Sequence, residues 1–248
     1  MTSRLEVHQA LTARYQEIVS LEELRLMASE NTKLAGLFVS SVSDEYLSSH
    51  RRVMIVGKET RSWSGGLGRV HDFPNINAYL QHAMDGHASY LRKPQPTSKF
   101  FQFYREVSRQ MVGDKHAVLP RSVAWANMFC LSYEGKSPVR AKDQFQKIET
   151  LSRDLLRAQI EILKPDVILF VTGPGYDKYL KKFFHISNGS VIHKKSLWSF
   201  SADKTPAFRT THPQWEKGKT HRSEALALAL ALNLSAITTS APDAVQAI

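Results

Sequence analysis

The segment DVILFVTG, residues 166–173, contains five consecutive large apolar residues between an aspartate and the closing Thr-Gly pair. A short apolar run without polar alternation is typical of a strand that is buried on both faces of a parallel sheet. Pro165 stands directly before the segment and ends the helical pattern that precedes it. Similar runs occur at 51–57 (RRVMIVG) and 122–131 (SVAWANMFCL), and AFRTTHP at 207–213 is a shorter fourth candidate.

Amphipathic segments alternate with these candidate strands. The spacing of apolar residues predicts helices over 4–30, 76–92, 99–112, 143–163 and 222–234. Residues 222–234 alternate Leu and Ala, and we interpret them as helix because both are strong helix formers. The alternation predicts an α/β protein, a three-layer α/β/α sandwich with a central, mainly parallel four-stranded sheet. We expect one domain over 1–248, with a helical N-terminal region over 1–50 and a frayed tail over 238–248.

The chain is basic, with 33 Lys and Arg against 23 Asp and Glu and a formal charge of +10. Such a positive field favours polyanionic partners, nucleic acid first. The apolar share of 42 % and the charged share of 23 % are those of a folded protein. A basic and less regular segment is expected over 178–205, as a solvated face or as a contact with a DNA backbone.

Cysteine content and hydropathy exclude several classes of protein. Cys130 is the single cysteine, which excludes a disulfide framework and a four-cysteine zinc or iron–sulfur site. The sequence has no run of about 18 uncharged apolar residues, and its beginning, MTSRLEVHQA, lacks the features of a secretory signal. We therefore expect a cytoplasmic protein with no membrane partner, acting as a monomer without a cofactor or a metal.

Three polar side chains lie where predicted strands end. Glu59 follows the first strand, Asn127 lies near the end of the second, and His212 follows the fourth. The carboxyl ends of parallel strands meet at one edge of a sheet, where ligands bind. A carboxylate, a carboxamide and an imidazole are therefore expected to converge at this edge.

The segments that carry these side chains resemble, in sequence order, three motifs of the uracil-DNA glycosylase superfamily. They are VGKET (56–60), VAWANMF (123–129) and THPQW (211–215). The family has a Gly-x-Asp-Pro or Gly-x-Asn-Pro type loop, an apolar strand closed by Asn, and a late loop that begins with His-Pro. The similarity covers roughly residues 50–235. It implies a DNA glycosylase, which flips a nucleotide out of DNA and hydrolyses its N-glycosidic bond. Because no obvious Lys nucleophile stands at a predicted strand end, we expect a monofunctional enzyme that leaves an abasic site without cleaving the strand.

The resemblance also implies a role for each residue of the three motifs. Cleavage produces an oxocarbenium-like sugar and an anionic base. Glu59 would stabilise the sugar cation and activate water, and His212 would donate a hydrogen bond to the anionic base. Asn127 would read the edge of the flipped base, since a carboxamide offers both a donor and an acceptor. Gly57 and Thr60 of the first motif complete the expected base pocket.

An aromatic ring is expected to stack on the flipped base. Phe73 lies 14 residues after Glu59, close to the place of the stacking ring in the family, and Trp63 is the alternative. The loop after the His-Pro pair enters the minor groove in the family, so Gln214 or Trp215 would act as the wedge. The basic residues expected to face phosphates are Lys217, Lys219 and Arg222.

The sequence departs from the family pattern beside the expected carboxylate. Glu59 stands in place of the usual Asp or Asn, and Thr60 in place of Pro. Residues 60–63 also lack the Tyr that blocks substituents at C5 in the uracil-specific branch. A modified pyrimidine is therefore an expected substrate, including a glucosylated hydroxymethylcytosine such as phages carry, and the role would then be antiviral defence.

Three other functions remain open at this stage. A uracil-DNA repair glycosylase would use the same residues on unmodified uracil. A non-catalytic nucleic-acid-binding protein of the same fold would keep the charge without needing Glu59 or His212. A nuclease is the weakest alternative, because Asp166 begins a strand but no acidic-x-Lys motif follows on a neighbouring predicted strand.

Overall fold

The structure, a computed structural model, describes residues 3–93, 98–112 and 121–232. The helices in chain order are α1 (Arg4–Ile18), α2 (Leu21–Glu30), α3 (Asp44–Leu47), α4 (Ile76–Leu91), α5 (Lys99–Val112), α6 (Phe145–Leu163), α7 (Asp177–Phe183) and α8 (Lys219–Ala231). The strands are β1 (Val53–Glu59), β2 (Val123–Phe129), β3 (Val167–Phe170), β4 (Ile186–His193), β5 (Leu197–Ala202) and β6 (Thr205–Arg209). The expected tail over 238–248 lies outside the described residues.

The strands form one mixed sheet in the order β2-β1-β3-β6-β5-β4. Strands β2, β1, β3 and β6 are parallel neighbours, and each overlaps one of the four strands predicted from the sequence. Strands β4 and β5 extend the sheet in antiparallel pairing beyond β6. The predicted α/β class is therefore confirmed, but the prediction of a four-stranded sheet is wrong, since the sheet has six strands.

The two additional strands lie in the segment 178–205, which the sequence analysis treated as irregular. In β5 the buried Trp198 and Phe200 alternate with half-buried serines. Strand β4 is mostly exposed, forms the edge of the sheet and pairs with register irregularities. Neither strand has the continuous apolar run of a central parallel strand, so the search for such runs missed both.

Apolar side chains of β1 supply both faces of the sheet. Met54 and Val56 belong to the core cluster shared with α1, α2 and α6. Val53 and Ile55 belong to a second cluster, shared with α5 and α8. Successive side chains of a strand point to opposite faces, so helices cover this part of the sheet on both sides. Polar side chains lie instead at the edge of the sheet where the parallel strands end.

The predicted helix over 4–30 is divided into α1 and α2. The Ser20 side chain accepts a hydrogen bond from the Glu23 backbone N–H at 3.2 Å and so caps the second helix. Residues 222–231 of the Ala/Leu segment are helical, as predicted, and belong to α8, while 233 and 234 lie outside the described residues. Among the described helices, none combines the length and the apolar character needed to cross a membrane.

Candidate functional site

A cavity of about 510 Å³ lies where β1, β2 and β6 end. This volume falls within the range of small-molecule sites. The residues predicted from the sequence that line it are Gly57, Glu59, Thr60, Trp63, Asn127, His212 and Gln214. The structure therefore brings together the carboxylate, the carboxamide and the imidazole that were expected at this edge of the sheet.

Gly57 and Asn127 are direct partners in the parallel pairing of β1 with β2. A Cβ atom at residue 57 would lie 2.5 Å from Asn127 Oδ1 and 3.0 Å from the Phe100 ring. Real Cβ atoms essentially never make contacts as close as 2.5 Å, so any larger residue would displace the carboxamide. Glycine is thus required for close approach of the Asn127 side chain to the backbone.

The Asn127 carboxamide is buried and oriented by a neighbouring indole. Trp125 Nε1 donates a hydrogen bond to Asn127 Oδ1 at 3.2 Å. Because an indole nitrogen can only donate a hydrogen bond, the oxygen of the Asn127 carboxamide, and not its nitrogen, faces Trp125. Asn127 Nδ2 is buried and has no hydrogen-bond partner among the described residues. The site therefore holds an amide donor that an acceptor atom of a ligand can satisfy.

Glu59 receives a hydrogen bond from a residue that the sequence analysis did not select. Tyr176 follows β3 and the Gly173-Pro174-Gly175 turn, and its hydroxyl donates to Glu59 Oε2. Burial raises the pKa of Glu59, whereas this hydrogen bond and the nearby Lys58 and Arg61 act to lower it. Burial and the Glu59 charge raise the pKa of Tyr176, so the phenol remains a donor. Tyr176 directly follows Gly173-Pro174-Gly175, the segment after the third predicted strand, and this position at a strand end is its signal in the sequence.

His212 lines the cavity as a neutral imidazole. Its Nδ1 accepts a hydrogen bond from the Gln214 backbone N–H at 3.2 Å, which leaves Nε2 as the N–H donor. Burial lowers the pKa of His212 to about 4, and the charges of Lys58, Arg222 and Arg61 act in the same direction. The side chain can therefore stabilise a developing anion at neutral pH without carrying a positive charge itself.

Arg222 lies beneath the loop that follows His212 and is only 5 % exposed. Its Nη1 donates to Thr211 Oγ1 at 3.0 Å and to the carbonyls of His212 and Trp215 at 3.2 and 3.0 Å. This burial does not fit the prediction that Arg222 faces phosphates, because the guanidinium donates its hydrogen bonds to acceptors of residues 211–215 instead. The remaining residues predicted to contact DNA are exposed: Gln214, Trp215, Lys217 and Lys219.

The two candidate stacking rings lie in different places. Trp63 is buried in the cavity wall, 5.6 Å from Trp125 between ring centroids, and its carbonyl accepts a hydrogen bond from Gly36. Phe73 is not among the residues that line the cavity. Its half-buried ring packs instead against Tyr79 of α4, at 5.2 Å, at the border of the core. The wall also includes four aromatic residues that were not candidates for the stacking ring: Tyr90, Phe100, Phe101 and Trp125.

The charge of the cavity wall is positive. Lys58, Arg61 and Lys93 line it, and Glu59 is the one acidic residue among the described lining residues. Basic residues therefore surround the half-buried carboxylate of Glu59. Cations close to an apolar cavity favour anionic ligands, such as the phosphates that flank a nucleotide.

No protein-family model and no curated protein matches this chain. The cavity combines a half-buried carboxylate, a buried amide donor with no partner among the described residues, a neutral imidazole and an aromatic wall.

The protonation state of His212 gives a direct test of this geometry. We expect the His212 ring to remain neutral until the pH falls to about 4, because burial and neighbouring cations disfavour its charged form. An NMR titration of the imidazole protons measures this pKa. In Lys58→Met, which removes one of these cations, the pKa should rise. Protonation of the wild-type ring near 6.5, the ordinary value, would contradict the buried placement.

Proposed function

We propose that this protein is a monofunctional DNA glycosylase, similar in its chemistry to the uracil-DNA glycosylase superfamily. The observation that carries the proposal is the convergence of Glu59, Asn127 and His212 in one basic cavity at the strand ends. These groups match the three needs of N-glycoside hydrolysis: a carboxylate for the sugar cation, a reader of the base edge, and a donor for the departing base.

In the proposed reaction, the flipped nucleotide enters the cavity with its sugar beside Glu59. The bond between C1′ and the base nitrogen breaks, and its electron pair leaves with the base. His212 Nε2–H donates a hydrogen bond to the base oxygen that gains negative charge. Glu59 accepts a proton from the water that adds to C1′, and this proton passes through solvent to the departed base anion, so the products are the neutral free base and an abasic site.

The proposed substrate is a pyrimidine with a substituent at C5. Thr60, Arg61, Ser62 and Ser64 line the cavity beside Glu59, and no tyrosine occurs in this segment. Thr60 Oγ1 is buried and has no hydrogen-bond partner among the described residues. A polar substituent would supply one, which favours a glucosylated hydroxymethylcytosine of phage DNA over plain uracil. The biological role would then be antiviral defence rather than repair.

The exposed side chains after His212 supply the proposed contacts with DNA. Trp215 is 47 % exposed although its ring is apolar, which suits a wedge that enters the base stack. Lys217 and Lys219 are exposed nearby and suit phosphate contacts. The proposal takes the protein as a cytoplasmic monomer that uses no cofactor or metal in the reaction.

Base release from defined DNA tests the proposal. The panel contains unmodified, uracil-containing, hydroxymethylated and glucosyl-hydroxymethylated DNA, each with EDTA present. Mass spectrometry detects the free base, and alkali reveals abasic sites. We expect release of one base, with Glu59→Gln and His212→Ala each slower by about 10²–10³-fold or more, the usual effect of losing such a group.

The other outcomes of this assay separate the alternatives. Release of uracil alone would favour a repair glycosylase. Intact DNA binding by wild type and both variants, without release from any DNA, would overturn the glycosylase proposal in favour of a non-catalytic binding protein. Strand breaks without heat or alkali would contradict a monofunctional mechanism. Strand cleavage that appears only in a parallel reaction with Mg²⁺ in place of EDTA would favour a nuclease.

Two glycine variants test whether the position of Asn127 matters. Gly57→Ala should lower base release by about 10²-fold, because the new methyl group displaces the Asn127 carboxamide. Gly86→Ala is the matched control, since Gly86 lines the same cavity but a Cβ there meets nothing within 4 Å. Equal activity of the two variants would show that the carboxamide is not needed.

The hydrogen bond from Tyr176 predicts a shift in pH dependence. Glu59 must be ionised to stabilise the sugar cation, and its pKa lies above the ordinary 4.5. Activity should therefore fall as the pH drops through this raised pKa. Tyr176→Phe removes a hydrogen bond that lowers the pKa of Glu59, so the acid limb of kcat/KM should move to higher pH. An unchanged limb with reduced kcat would contradict this role of Tyr176.

A further inference from the structure

A cluster of two histidines and one glutamate lies outside the cavity. His193 is the last residue of β4, and His221 and Glu224 lie on the first two turns of α8. Their three potential ligand atoms lie within 4.8 Å of one another. None of the three lines the cavity described above. We propose that His193, His221 and Glu224 bind a Zn²⁺ ion that joins the β4–β5 hairpin to α8.

The separations within the cluster suit a small metal ion. His193 Nε2 lies 2.8 Å from Glu224 Oε2, and His221 Nδ1 lies 4.0 Å from the same oxygen. A tetrahedral zinc ion with bonds of about 2.0–2.2 Å separates its ligand atoms by about 3.4 Å. The two observed separations lie on either side of this value, so small side-chain movements would complete the arrangement. His221 and Glu224 are three residues apart on one helix and therefore share one face.

The environment of His221 favours an ion over a simple hydrogen-bonded pair. His221 Nδ1 is buried and has no hydrogen-bond partner among the residues that the structure describes. The His193–Glu224 hydrogen bond leaves this nitrogen unsatisfied. An unsatisfied buried polar atom is unfavourable, and a cation between the three groups would give each of them a partner. The side chains are 43 %, 27 % and 36 % exposed, so water can supply the fourth ligand.

The ligand set identifies the class of metal. Two imidazoles and one carboxylate suit Zn²⁺, whereas Mg²⁺ and Ca²⁺ prefer oxygen ligands alone. The bound ion would have a structural role, since it would link the edge strand β4 to α8, the helix that follows the His212 loop.

Zinc binding to the full chain tests the proposal. After removal of metals with EDTA and dialysis, isothermal titration with ZnCl₂ should show one site per chain. Zn²⁺ at about 100 times its Kd should raise Tm by about 5–10 °C, whereas Mg²⁺ should not. Co²⁺ in place of Zn²⁺ should give the visible absorption bands of a tetrahedral site.

Variants assign the site to these three residues. His221→Ala and Glu224→Gln should each weaken Zn²⁺ binding by at least about 100-fold, with zinc-free Tm values close to that of the wild type. His185→Ala is the matched control, since it removes an exposed histidine from the start of the same hairpin and should leave binding unchanged. Equal Zn²⁺ affinity in wild type, His221→Ala and Glu224→Gln would overturn the proposal, as would a wild type that binds no Zn²⁺.

The two proposals fail independently. Base release in EDTA depends on the cavity residues, whereas zinc affinity depends on the cluster, and the two measurements share no residue. A protein that binds zinc but releases no base would refute only the glycosylase proposal, and the reverse result would refute only the zinc site.

Discussion

Parallel pairing of β1 with both β2 and β3 is the constraint on which the site depends. It aligns Gly57 with Asn127 and ends β3 beside Val56, so the segments that follow β1 and β3 leave the sheet at the same edge. This arrangement allows Tyr176, from the segment after β3, to reach Glu59 at the end of β1. A shift of one residue in the β1–β2 register would turn Asn127 to the opposite face of the sheet. The relative positions of Asn127, Glu59 and Tyr176 therefore depend on this register.

Burial prepares the two candidate catalytic groups in opposite ways. Removal from water disfavours the charged form of any side chain, so it raises the pKa of Glu59 and lowers that of His212. The surrounding cations, Lys58 and Arg61, restore part of the acidity of Glu59 and further disfavour a charged His212. At neutral pH this combination favours a carboxylate beside a neutral N–H donor. Cleavage of an N-glycosidic bond needs such a pair, because opposite charges develop on the sugar and the base.

The sequence predicted the parallel strands and the groups at their ends, because both depend on local patterns. Continuous apolar runs mark strands buried on two faces, and whatever follows such a strand lies at the edge of the sheet. The path of a loop, in contrast, depends on contacts with residues that are distant in the sequence. Phe73 follows two short 3₁₀ segments, and its half-buried ring packs against the core instead of lining the cavity. Tyr176 lies at the edge of the sheet only because the chain turns after β3.

The pattern of charges along the sequence was also a limited guide to which cations are exposed. Arg222 has the same place in the basic segment as Lys217 and Lys219, yet it is buried while they are exposed. The difference arises from the three acceptors that the preceding loop offers to its guanidinium. A sequence shows that a cation is present, but the number of acceptors that reach it depends on the folded chain. The antiparallel hairpin escaped prediction for a related reason, since its alternating residues gain their partners only beside β6.

The Asn127 carboxamide, which we propose reads the base edge, is held by the core rather than by the loops. His87 Nδ1 accepts a hydrogen bond from the Ser41 backbone N–H at 3.1 Å, and the His87 ring stacks on Trp125 at 5.0 Å. Trp125 in turn fixes the oxygen of Asn127. Burial lowers the pKa of His87 to about 3, so this series of contacts keeps one protonation state at neutral pH. A carboxamide fixed in this way cannot rotate to suit an unmatched base, and the unmatched base leaves a buried donor unpaired. Selectivity for the base edge would therefore follow from the rigidity of the core behind the cavity.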